Sequence, residues 1–314
     1  MSSIARTESE NIAAPSGGWD RLPPEYAIPD EAPTEAEARE YCRRLARTHY
    51  ENFSVASWFL PKPLRQHFVN VYSYCRISDD LGDEVGNAAQ SLELFDQWES
   101  ELNACYDGQP RHPVFVALAE TVRKFEIPKH EFLDLLTAFR QDQAVTRYTT
   151  FDALLGYCRY SANPVGHLVL YLCGYRDAER QQLSDYTCTA LQLANFCQDV
   201  SVDYAKGRIY LPLEDLRRFG VSEGEIRDSR NTPPFCAMMR FEVERAREWF
   251  AQGLPLAKKV NRELAIDIEL FSRGGLEILN AIESQGYAVL GRRPAISRTR
   301  KLALVMRAAL RRLV

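Results

Sequence analysis

Almost every long stretch of the chain repeats its apolar residues with the helical period of about 3.6, and the repeat is broken where Pro or Gly stands. The breaks fall at Pro61 and Pro63, between Gly108 and Pro113, and at Pro128, Gly174, Pro212, Pro233, Pro234 and Pro294. A sheet buries residues that alternate in steps of two, so a chain patterned this way has little to offer one. The pattern predicts an all-α bundle. Two segments, about 150–173 and 179–204, are apolar on more than one side, which suits helices in the middle of the bundle. The one strand-like stretch, RIYLP at 208–212, reads as a short extended loop. At 314 residues, 46% of them hydrophobic, a single large core accounts for the chain.

Residues 1–33 lack the helical period and are rich in Pro, Gly, Ser and charge, the composition of a disordered leader. Order is expected to begin at Thr34, where TEAE forms a capping box with Glu37 reaching back to the cap. The chain thus divides into a leader at 1–33 and one domain at 34–314. A net charge of -4 argues against nucleic acid as a partner. The 8 cysteines are scattered without a CxxC pair, as reduced core residues of a cytoplasmic protein would be. No apolar run reaches the roughly 18 residues needed to span a bilayer, and the N-terminal stretch lacks the apolar segment expected of a secretory signal.

Chemistry concentrates in two acidic clusters. YSYCRISDDLGDE, 72–84, places Asp79, Asp80, Asp83 and Glu84 close together after Arg76. NFCQDVSVDYAKGRIYLP, 195–212, repeats the spacing with Asp199 and Asp203, and Asn195 stands four residues before Asp199. Residues four apart share a helix face, so each cluster aims two carboxylates in one direction. Such a pair is often no more than a solvated face. Here each follows an apolar run, FVNVYSYC or TALQLANFC, of the kind that belongs to a buried helix. Converging carboxylates in a partly dry site need cations, and an all-oxygen donor set favours Mg2+ shared with substrate phosphates. Asp79, Asp80, Asp83, Asn195, Asp199 and Asp203 are the candidate metal ligands, and Arg76 is placed to meet phosphate oxygens. Lys206 and Arg208, flanking Gly207, could fold over the same phosphate or simply form a solvated turn.

These motifs resemble the two aspartate-rich motifs of the squalene and phytoene synthase family. RYTTFDALLGYCRYSANPVGHLVL resembles the family's central segment and GGLEILNAIESQGYAVLGRRPAISRTRK its C-terminal one, so the likeness runs over about 36–305. HYENFSVAS at 49–57 and SANPVG at 161–166 are most similar to the hydroxysqualene-forming branch found in bacterial hopanoid synthesis. The resemblance implies an isoprenoid-synthase fold around a central cavity, with Mg2+ on the two motifs and Arg76 on the diphosphate. It also implies that His49, Phe53, Tyr72, Val165, Gly166 and Arg292 line the substrate pocket. One position departs: Gly275 stands where some relatives that condense two prenyl diphosphates carry an aromatic residue.

The chemistry so implied is ionisation of an allylic or cyclopropylcarbinyl diphosphate, with cations on the departing pyrophosphate and no protein nucleophile. No nucleophile elbow, P-loop or dinucleotide fingerprint is present, and no histidine has metal-ligand spacing. A carbocation calls for an aromatic-lined apolar cavity, for which Phe53, Tyr72, Tyr157, Tyr160 and Phe196 are candidates. Pro164 is expected to bend a helix and free a carbonyl near 160, with Asn163 beside it either holding a water or merely marking the kink. The expected reaction converts presqualene diphosphate to hydroxysqualene. Condensation of two farnesyl diphosphates, phytoene synthesis and a non-catalytic assembly role are the alternatives. The C-terminal ISRTRKLALVMRAALRRLV mixes basic and apolar residues, patterned either as a peripheral membrane helix or as a packed terminal helix with its charges outward.

Overall fold

The computed structural model describes residues 18–48 and 61–313. His49 and Phe53, assigned above to the substrate pocket, lie outside the described residues. The described chain is helical throughout, and its one β-type contact is an isolated parallel bridge between Arg147 and Ile209. RIYLP is the extended loop its sequence suggests, with Ile209 N–H donating to the Thr146 carbonyl at 2.9 Å.

The first half comprises α1 (Glu35–Thr48), α2 (Arg65–Asp83), α3 (Ala88–Asp107), α4 (Pro113–Phe125) and α5 (His130–Asp142). The capping box forms as read, Thr34 N–H meeting Glu37 Oε2 at 2.9 Å. Asn87 caps α3 through the Gln90 amide, and Gly108 closes it at φ 81°, a left-handed angle that favours glycine. These helices enclose an apolar cluster around Tyr74, Phe95, Trp98, Phe115 and Phe132.

The second half holds α6 (Phe151–Ser161), α7 (Asn163–Leu172), α8 (Ala178–Gln198), α9 (Val200–Ala205), α10 (Leu213–Phe219), α11 (Glu223–Arg227), α12 (Pro233–Gly253), α13 (Arg262–Ser284) and α14 (Arg298–Leu313). α8 is the central rod, touching α6, α7, α9, α12 and α13, as its apolar circumference requires. A second cluster gathers around Tyr157, Phe196, Phe235 and Phe250. Glycine sets two of these contacts. A side chain at Gly166 would run into Ser184 and Cys188 of α8, and one at Gly275 into Phe250 and Leu191. Pro164 does not kink a continuous helix. The helix stops at Ser161, Ala162 leaves helical geometry at φ −120°, and Pro164 sits in the first turn of α7, where its missing N–H is no loss.

The folded unit also starts earlier than the leader composition suggests. Residues 18–33 form a strap with short helical turns at Gly18–Arg21 and Pro24–Tyr26. Leu22 and Tyr26 are buried in the first cluster, and the Trp19 indole donates to Gln97 Oε1 at 2.8 Å. Two buried side chains suffice to anchor a Pro-rich stretch whose composition alone carries no helical signal.

Candidate active site

A cavity of about 310 Å3 opens between the two clusters. α2 contributes Asp79, Gly82 and Asp83, α5 contributes Phe139 and Asp142, and α6 contributes Tyr157 and Ser161. Facing them are Gln192, Asn195 and Phe196 of α8, Asp199 at the α8–α9 junction, Asp203 of α9, and Lys206, Arg208 and Tyr210 beyond it. The two acidic stripes therefore confront each other. Gln192 was not singled out from sequence, although it stands on the stripe continued by Asn195, Asp199 and Asp203 and was legible from helical spacing.

The loop after α9 crosses the gap. Lys206 Nζ donates to Asp83 Oδ2 at 2.6 Å and Arg208 Nη1 to Asp83 Oδ1 at 3.2 Å. Burial alone would raise the Asp83 pKa, but the Lys206 hydrogen bond and both positive charges outweigh it and hold the carboxyl below its ordinary range. Asp79, half exposed, meets only Arg76 Nη1 at 3.6 Å, beyond hydrogen-bond reach, and desolvation at the cavity followed by the Asp83 charge pushes it up to about 6. Asp203 is pushed up to about 7 by burial and then by Asp199. Asp199 is held by Arg293, through Nε and through Nη2 at 3.0 Å to Oδ2. Asp83, which two cations reach within hydrogen-bond distance, stays charged, whereas Asp79 and Asp203, which no cation reaches so closely, leave room for another.

The polar end passes into an aromatic wall. Phe196 and Tyr210 stack with centroids 4.2 Å apart, and Tyr157 lies 5.6 Å from Tyr210. Asp142 accepts from the Tyr157 hydroxyl at 2.7 Å and the Tyr210 hydroxyl at 3.0 Å. That turns both hydroxyls toward Asp142 and fixes the rings at the cavity edge.

Of the residues chosen from sequence, Asp79, Asp83, Tyr157, Asn195, Asp199, Asp203, Lys206 and Arg208 line this cavity. Others do not. Asp80 is a correction: it follows Asp79 by roughly 100° of helical rotation, and its buried carboxylate takes the Arg76 guanidinium and, at 2.7 Å, the Tyr26 hydroxyl. Arg76 stays at the rim, its Nη1 3.6 Å from Asp79 Oδ2. Tyr72 and Tyr160 are partly buried but off the cavity wall. Asn163 is buried behind it, its Oδ1 accepting from the Thr189 hydroxyl at 3.0 Å. Val165 remains 42% exposed, and Gly166 is the α7–α8 contact described above. Arg292 points to a separate surface hollow with Ser284, Gln285 and Arg300, while its neighbour Arg293 reaches Asp199.

Among the described residues no three His, Cys, Asp or Glu side chains form a ready-made metal cage. The donors present are hard oxygens from opposed helices, which fits an ion such as Mg2+ that takes one or two carboxylates, keeps waters and completes its shell with phosphate. Asp79, Asp83, Asn195, Asp199 and Asp203 are the residues that would hold it.

Residues 46–300 match the family model for squalene/phytoene synthase. A squalene synthase of Alicyclobacillus acidocaldarius, HpnC, superposes with TM-score 0.77 at 43% identity, covering 86% of this chain and 98% of that one. A dehydrosqualene synthase superposes with TM-score 0.80 at 27% identity, covering 88% and 96%. Among curated proteins, phytoene synthase 3 of Zea mays is 32% identical over 88% of this chain, which spans 65% of the maize protein. The 15-cis-phytoene synthase of Synechocystis is 31% identical, covering 85% and 82%. Fold and matches together define the class: an all-α isoprenoid-synthase fold of prenyl-transferring enzymes. Within that class, the chain belongs to the squalene/phytoene synthase family.

Proposed function

We propose that the protein is a Mg2+-dependent synthase that converts presqualene diphosphate and water to hydroxysqualene and diphosphate. The carrying observation is the convergence of two carboxylate stripes and the cations Lys206 and Arg208 on one cavity with an aromatic wall, with Arg293 holding Asp199 of its lining. Mg2+, when bound, supplies charge that draws electrons into the departing pyrophosphate. Lys206 and Arg208 exchange Asp83 for phosphate oxygens, so charge is stabilised as the C–O bond breaks. Tyr157, Phe196 and Tyr210 face the carbocation left behind, and their ring faces favour it over a dry apolar wall. The cyclopropane then opens, one water adds, and its proton leaves with solvent. No reductant enters the balance.

The likeness to a squalene synthase and to phytoene synthases supports the second reading, condensation of two prenyl diphosphates. Gly275 does not separate them: a side chain there would run into Phe250 and Leu191, and none of these three residues lines the cavity. Purified protein incubated with Mg2+ and presqualene, farnesyl or geranylgeranyl diphosphate, with and without NADPH, separates the readings by product. Hydroxysqualene from presqualene diphosphate without NADPH supports the proposal; consumption of farnesyl diphosphate alone overturns it.

The same reading extends to a membrane surface, where so insoluble a product is delivered. No helix among the described residues is long and apolar enough to cross a membrane. α14 packs on α13 through Ala308, Ile266 and Leu270 but leaves Leu302 60% and Met306 54% exposed, four residues apart and flanked by exposed Lys301 and Arg307.

A further inference from the structure

Asp80 and Tyr26 are left without a part in the chemistry above, yet they form the most heavily buried polar contact beside it. Asp80 is 4% exposed and Tyr26 1%. A carboxylate at such depth persists only with strong donors, and Asp80 has both a forked guanidinium and a phenol. The phenol comes from a strap that lies outside residues 46–300, the part of the chain matched by the family model.

The geometry has a consequence for Arg76. Two carboxylates compete for its guanidinium: Asp80, which holds Nε and Nη2, and Asp79, 3.6 Å from Nη1. If Arg76 swings fully to Asp79, it neutralises a cavity-lining carboxylate that a metal ion would otherwise take. The Tyr26 hydroxyl, at 2.7 Å from Asp80 Oδ2, fixes the competing carboxylate from behind. Tyr41 steadies the strap by donating to the Glu25 carbonyl at 2.7 Å, and Arg21 ties it to the Val85 carbonyl at 2.8 Å.

We propose that Tyr26 is a positioning residue for the diphosphate end of the site: supplied by the N-terminal strap, its hydroxyl pins Asp80 so that Arg76 keeps Nε and Nη2 on Asp80 and comes no nearer Asp79 than the present 3.6 Å. This rests on reading the cavity as a Mg2+–diphosphate site. Tyr26→Phe keeps the buried ring and removes only the hydroxyl, whereas Arg21→Ala loosens the strap without touching Asp80. Calorimetric titration of the full-length protein with inorganic pyrophosphate in excess Mg2+ reads the effect directly, alongside turnover and melting temperature. Tyr26→Phe is expected to weaken pyrophosphate binding about fivefold to tenfold, the scale of one hydrogen bond to a charged group. Arg21→Ala is expected to stay within about twofold of the parent even where its melting temperature falls as far. Parent-like binding by Tyr26→Phe overturns the proposal, as does loss of binding in both variants in step with their melting temperatures. Asp83→Ala and Asp199→Ala separate the two levels. Binding abolished in these but intact in Tyr26→Phe removes the strap proposal alone, whereas binding intact in all three removes the diphosphate reading beneath it.

Discussion

Arg292 and Arg293 are adjacent and chemically identical, but only Arg293 reaches an acidic stripe, gripping Asp199 on two oxygens. A bidentate pair of this kind delivers its charge to a fixed point, which is what a departing pyrophosphate needs. Arg293→Ala should lower kcat/KM for the prenyl diphosphate by about 10- to 100-fold, a loss of roughly 1.4–2.7 kcal/mol, while Arg292→Ala stays within about twofold; steady-state kinetics decide. The aspartates make a second prediction. Asp79 and Asp203 have pKa values raised to about 6 and about 7, so they hold protons that a cation must displace. Binding of Mg2+ with pyrophosphate should therefore strengthen as pH rises through 6–7 and weaken as it falls. Asp203→Asn should remove the upper part of that slope in calorimetric titrations. Nothing in the sequence distinguishes Asp79 from Asp80 by residue type; the helical turn between them does, sending one to the cavity and the other to Tyr26.

At the scale of elements, α5, α7 and α8 are joined by a charged clamp. His167 of α7 meets Glu131 of α5 at 3.0 Å and Asp185 of α8 at 2.7 Å. Burial alone would lower the imidazole pKa, but hydrogen bonds to Asp185 and Glu131 and their charges overcome it and raise it to about 9. His130 and Asp134 stand on the same α5 face. Since the folded pKa exceeds the unfolded one, the clamp's stability is complete below about 6.5 and is lost as pH climbs through about 9. The parent should lose stability between pH 7 and 9 relative to its own value at 6.5, by urea titration. His167→Asn should be less stable at pH 6.5, by about 3 kcal/mol for a broken buried pair, and flat over that range. The α12–α13 contact has a different basis. Gly275→Ala brings a methyl group against the ring of Phe250, itself 1% exposed and unable to yield, so destabilisation of about 1–3 kcal/mol is expected.

For the whole molecule, cations of its own bridge the two halves across the cavity: Lys206 and Arg208 from the second half hold Asp83 of the first. Because no metal cage exists among the described residues, Mg2+ alone should shift the melting temperature little, whereas Mg2+ with pyrophosphate should raise it by several degrees. Ligand at a hundredfold excess over its dissociation constant contributes about 2.7 kcal/mol, and EDTA should reverse the shift. Leu302→Glu with Met306→Glu should reduce flotation with anionic phospholipid vesicles and leave turnover on detergent-solubilised substrate near the parent value.

The sequence by itself determined the all-α architecture, the central helices and the acidic stripes, because each rests on spacing along one helix, and helical spacing is a local property. It also carried the capping box at Thr34 and the extended RIYLP loop. Only the tertiary structure decided that Tyr26 belongs to the fold, that Asp80 serves Arg76 and that Arg293 rather than Arg292 meets Asp199. It decided too that Lys206 and Arg208 close on the opposite acidic motif. Each of these pairs residues from different elements, and which side chains meet across a gap depends on how helices rotate and pack, which no local pattern encodes.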